Sequence, residues 1–123
     1  MGFEINVNVE AGIIEVTYPA RPTDAEVAAY VREIKALMDQ QKASWRCLVD
    51  QRQLAVMAPD LVDKVGELNA YGVKRGMVRA ARVIATSVAN LQTARMARQV
   101  SLPVPIKTFT SRDAALAWLK GEG

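Results

Sequence analysis

The hydrophobic period of this chain switches repeatedly between two and about 3.6 residues, and that alternation limits its fold more than any other feature. Phe3, Ile5, Val7 and Val9 alternate with Glu4, Asn6 and Asn8, the pattern of a strand with one buried face. Ala11-Gly12 separates this run from a second one carrying Ile13, Ile14, Val16 and Tyr18, so the opening reads as a hairpin that Pro19 and Pro22 end. In TDAEVAAYVREIKALMDQQ the period lengthens. Val27, Tyr30, Val31, Ile34, Leu37 and Met38 fall on one helical face, and Thr23 with Glu26 forms a capping box. WRCLVD predicts a third strand. A second helix starts at Pro59 with Asp60 beside it, turns Leu61, Val65 and Leu68 inward, and closes at Lys74, Arg75 and Gly76. ARVIAT predicts a fourth strand, and Ser87 caps a third helix that runs to about Val100. After Pro103 and Pro105, IKTF gives a short fifth strand, and Ser111 caps the last helix, RDAALAWLK.

The order ββαβαβαβα predicts an α/β fold: a mixed, mainly parallel five-stranded sheet with right-handed crossovers and about four helices. A chain of 123 residues suits one domain with a real core, and no linker or repeat interrupts it, so residues 1–123 are read as a single domain. The residues alone leave the strand order open.

Composition narrows the chemistry. There is no histidine and one cysteine, which removes zinc sites, Ser–His and Cys–His nucleophile pairs, and any internal disulfide. No metal, cofactor or catalytic residue is assigned. No apolar run approaches the roughly 20 residues of a membrane span, and the first residues lack the basic start and apolar core of a secretory signal. A reducing cytoplasm is the expected compartment. Net charge is +3, too mild to imply nucleic acid. Lys74, Arg75, Arg79 and Arg82 form a basic run without interleaved aromatics, which reads as a solvated connection. Trp118 and Phe109 read as core residues, Cys47 as a small core residue, and Trp45 as a strand start near the surface.

The loop in VDQRQLAVMAPDLVDKV draws the candidate site. Asp50 and Arg52 stand at the carboxyl end of a central strand, where open α/β sheets place ligands. They serve either as an anion or partner contact, Asp50 orienting Arg52, or as a structural pair that ties the loop. Val56 and Met57 follow, either tucked under the second helix or exposed as a contact patch. Either Thr86, Ser87 and Asn90 at the next strand end hydrogen-bond a ligand or, more simply, Ser87 serves as a helix cap. In SVANLQTARMARQVSL, Val88 and Leu91 share a side that Met96 and Val100 do not. With Arg95 and Arg98 flanking it, this second stripe is either a rotated core face or an association surface.

Three stretches carry a family resemblance. They are the hairpin FEINVNVEAGIIEVTY before a long helix, CLVD with Arg52 two residues on, and the ending IKTFTSRDAALAWLKG. The second is similar to the strand end LLVDLRG, and the third to the ending vrvFrsleeAlaWL, of the SpoIIAA-like group of STAS domains. The chain thus resembles the small bacterial STAS/SEC14-like proteins over nearly its whole length, which implies the SpoIIAA-like fold. Anti-sigma-factor antagonists of this class carry a phosphorylatable Ser or Thr just after the third strand. Here no hydroxyl residue stands between Asp50 and Asp60, so that switch is not expected at this site. The resemblance and the missing catalytic pairs point to a non-enzymatic, regulatory protein-interaction module whose partner is another protein or a second copy in a homodimer. The alternative is a SEC14-like binder or sensor of a small apolar or anionic ligand.

Overall fold

The opening hairpin pairs β1 (Glu4–Asn8) with β2 (Ile13–Thr17) in antiparallel register. Its turn needs a residue with positive φ, and Gly12 supplies it at +66° while its N–H donates to the Asn8 carbonyl at 2.9 Å. The computed structural model of the chain describes residues 2–8, 10–41, 44–55, 59–85 and 104–121.

Helix α1 (Asp24–Gln40) begins on the expected capping box. The Thr23 hydroxyl accepts from the Glu26 N–H at 3.1 Å, and the Glu26 carboxylate accepts from the Thr23 N–H at 2.9 Å. Val27, Tyr30, Ile34 and Met38 form its buried face. Strand β3 (Trp45–Asp50) and helix α2 (Pro59–Lys74) keep the sequence-predicted bounds, with Leu61, Val65, Leu68 and Gly72 buried. Strand β4 (Met77–Val83), β5 (Ile106–Phe109) and helix α3 (Arg112–Leu119), capped by Ser111, complete the described elements.

The sheet order is β1-β2-β3-β4-β5, antiparallel only between β1 and β2 and parallel in the other pairings. Successive strand residues face opposite sides, so the two layers separate by parity. Ile14, Val16, Cys47 and Ala80 meet the buried faces of α1 and α2, whereas Ile13, Leu48, Ala81 and Val83 meet Ala115 and Leu119 of α3. The result is a mixed five-stranded α/β sheet with three helices among the described residues. The further helix expected from Ser87 to about Val100 lies outside them.

Two sequence expectations change. Strand β4 starts at Met77, well before the expected ARVIAT, because Gly76 at φ +101° turns the chain straight from α2 into the sheet. The basic run is therefore no solvated connection: Arg79 and Arg82 are strand residues on opposite faces. Second, Trp45 is 2% exposed, whereas Trp118 is only partly buried. Trp45 points to the α1/α2 layer, where the backbone at Gly72 lies close enough that a Cβ there would sit 3.4 Å from the indole. Its N–H donates to the Arg75 carbonyl at 3.0 Å. Trp118 instead lies at the rim, with the Arg79 guanidinium 5.2 Å from its ring centre and Phe109 at 5.8 Å.

Candidate functional site

The carboxyl ends of β2, β3 and β4 gather most of the polar residues that the fold buries. Backbone bonds hold this edge together: the Tyr18 N–H donates to the Asp50 carbonyl at 2.9 Å and the Gln51 N–H to Val83 at 2.8 Å. On the α3 side, Asp50 is 7% exposed and accepts three hydrogen bonds from Arg52. They come from its N–H at 3.1 Å, Nε at 3.0 Å and Nη2 at 2.7 Å. Burial by itself would raise the Asp50 pKa, but the hydrogen bonds and charge of Arg52 outweigh it and hold the carboxyl below its usual value. The Arg52 side chain stays 44% exposed, so the carboxylate fixes its direction without removing it from solvent.

A second pair stands beside this one. Arg112, the first residue of α3, donates Nε and Nη2 to the Glu15 carboxylate at 2.6 and 2.7 Å. Arg112 also lowers the pKa of Asp50, which places both pairs in one electrostatic neighbourhood. The start of α3 is thereby fastened to β2, and two arginines with fixed directions face outward at the same edge.

On the α1/α2 side, the first turns of both helices border an open cleft of ≈ 330 Å³, lined by Arg21, Pro22, Asp24, Val27, Asp60, Leu61 and Lys64. Its rim carries two cations and two carboxylates, and its floor is apolar. Deeper in the same layer, Tyr18, Gln51 and Arg82 are 1%, 2% and 4% exposed. The Tyr18 hydroxyl, Gln51 Nε2 and Arg82 Nη2 have no hydrogen-bond partner among the described residues. The Tyr18 phenol is pushed up to about 12, chiefly by burial; Tyr30 and Gln51 lie close enough to draw it back, yet neither completes a hydrogen bond with it. Burial pushes the Arg82 guanidinium down and the Cys47 thiol up to about 12, so Cys47 is an inert core thiol.

Of the sequence-predicted site residues, Asp50 and Arg52 are brought together as a forked pair. Val56 and Met57 lie outside the described residues, as do Arg95, Met96, Arg98 and Val100. The reading of sequence missed Glu15, Tyr18, Gln51, Arg82 and Arg112. A partial signal existed for Arg82, which stands inside the strand-like ARVIAT, where a solvated arginine is out of place. Nothing in the residues joins Glu15 to Arg112, which are far apart in the chain. Among the described residues, no three His, Cys, Asp or Glu side chains come together as a metal site requires, and no helix is long and apolar enough to cross a membrane.

With the geometry established, comparison places the chain. Its fold is similar to that of an uncharacterised protein with a SpoIIAA-like fold from Shewanella loihica, at a TM-score of 0.73 and 16% identity over 96% of this chain and 94% of that one. It is also similar to an anti-sigma-factor antagonist (STAS) domain protein from Planctomyces limnophilus, at 0.63 and 18% identity over 95% and 97%. No curated protein matches the sequence significantly. The fold is that of a STAS-type domain. The chain belongs to the SpoIIAA-like family, whose model matches residues 13–120.

Proposed function

We propose that this chain is a non-enzymatic recognition module of the STAS type that docks a protein partner on the carboxyl edge of its sheet. The observation that carries the reading is the Asp50–Arg52 fork. A nearly buried carboxylate spends both oxygens on one exposed guanidinium and so presents it in a fixed direction. Pre-oriented, half-exposed arginines suit partner recognition better than catalysis, because they supply directional donors and no general base. The open cleft at the first turns of α1 and α2 supports a macromolecular contact rather than an enclosed carrier pocket, with complementary charges at Arg21, Asp24, Asp60 and Lys64. Val56 and Met57 follow Arg52 in the same connection and extend the proposed contact. Residues 50–65 contain no serine or threonine, so docking here is not switched by a phosphate in this segment. A second copy is also a proposed partner, through Arg95, Met96, Arg98 and Val100.

The test is affinity capture from the extract of the source cell with wild-type protein and with Arg52→Glu, read by mass spectrometry. The reading expects a protein held by wild type and lost by the charge-reversed variant. The same proteins on both, at equal yield, would overturn it.

A further inference from the structure

Arg82 presents a problem of charge. Among the described residues, Asp50 is the one buried acidic side chain; it lies on the other face of the sheet and is engaged by Arg52. The acidic residues of α1 and α2 are not buried: Asp24, Glu33, Asp39, Asp60, Asp63 and Glu67 are exposed, and Glu26 is tied into the α1 cap. Residues 56–58 and 86–103 contain no Asp or Glu in their sequence, and the remaining acidic side chain outside the described residues, Glu122, follows α3, the helix of the opposite face. Arg82 therefore carries a buried positive charge for which this layer of the protein supplies no carboxylate. An arginine does not escape by losing its proton. Leaving such a charge uncompensated is strongly unfavourable.

The neighbouring groups show what would compensate it. Tyr18, Gln51 and Arg82 come from adjacent strand ends and point into the same layer by parity. Their unpartnered atoms are a hydroxyl, an amide nitrogen and a guanidinium nitrogen. All three donate, and the phenol remains protonated at physiological pH. Water would satisfy donors but not the charge. A group with several acceptor oxygens and a negative charge satisfies both. We propose that Arg82, Gln51 and Tyr18 form an internal binding site for an oxyanion, the carboxylate or phosphate group of a small ligand. The site lies at the carboxyl end of parallel strands, where α/β sheets commonly hold ligands. It is separate from the Asp50–Arg52 fork on the other face, so failure of partner docking leaves it standing.

The experiment is calorimetric titration and thermal unfolding of the full chain with inorganic phosphate and with butyrate, each against chloride at matched ionic strength. The expected result is saturable binding of one anion per chain and a midpoint raised by a few degrees. Phosphate or butyrate as the effective ion identifies which oxyanion the site takes. Arg82→Met should abolish the response and, without anion, raise the midpoint, because it replaces an uncompensated buried charge by an apolar chain. Tyr18→Phe removes only a hydroxyl and should weaken the anion about tenfold; it keeps the test decisive if Arg82→Met does not fold. Three results overturn the proposal: no response of wild type to either anion, a response that survives in Arg82→Met, or undiminished affinity in Tyr18→Phe.

Discussion

Replacing Asp50 by asparagine isolates the fork that orients Arg52. The side chain keeps its shape, but one acceptor oxygen becomes a donor facing the Arg52 guanidinium, and the charge is lost. Wild type has three hydrogen bonds at this carboxylate, two of them from the guanidinium. A charge-assisted bond contributes about 1.5–3 kcal/mol when sheltered, but the half-exposed Arg52 is screened by water, which reduces the pair to about 1 kcal/mol. The pH dependence has a definite sign. The Asp50 pKa is lower in the folded than in the unfolded chain, so its stabilisation is fully present above the unfolded value of about 3.9 and is lost as pH falls through the folded value. Urea unfolding followed by circular dichroism should place Asp50→Asn about 1 kcal/mol below wild type near pH 7, with the gap closing as pH falls below the unfolded carboxyl value and through the lower folded one. Equal stability near neutral pH, or a gap that persists unchanged in acid, would refute the role given to this carboxylate.

Truncating the two tryptophans should separate core from rim: Trp45→Ala is expected to cost about 3–5 kcal/mol and Trp118→Ala about 1–2 kcal/mol in the same assay, and the reverse ranking would contradict their placement. Incubation with an anti-sigma-type serine kinase and ATP should leave residues 50–65 unmodified by peptide mass mapping, since they contain no serine or threonine. Light scattering at high protein concentration should show a wild-type dimer that Met96→Glu/Val100→Glu dissociates with the circular dichroism spectrum unchanged; a monomeric wild type would remove the homodimer, and an unfolded variant would make Met96 and Val100 core residues.

How legible the fold was depended on the range of the interaction. The hairpin turn, the Thr23–Glu26 cap, Pro59 at the start of α2 and the Ser111 cap are all set by neighbours within four residues, and each was readable directly. Asp50 and Arg52 belong to this local class, two residues apart at a strand end. Misreadings began where long-range packing decides. Trp45 looked like a strand start near the surface because its covering partners, Gly72 and the Arg75 carbonyl, come from the far end of α2. Trp118 looked like core because its motif is apolar, yet α3 is short and turns that ring toward Arg79 at the edge. Charge counting puts Arg82 in a basic run because it ignores parity; in β4 the positions of Arg79 and Arg82 send one to a tryptophan rim and the other into the core. The Glu15–Arg112 pair joins residues at opposite ends of the chain, and only the sheet order makes them neighbours.

The most direct test of the proposed function is the affinity of Arg52→Ala for the protein that wild type captures, titrated calorimetrically with both purified partners. Removing a pre-oriented charged contact at the docking edge should weaken binding by about tenfold or more, with the fold retained and its stability lowered by about 1 kcal/mol, the contribution of the Asp50–Arg52 pair. An affinity equal to wild type, with the fold intact, would show that the Asp50–Arg52 fork ties down its own loop and that the carboxyl edge of the sheet is not where the partner docks.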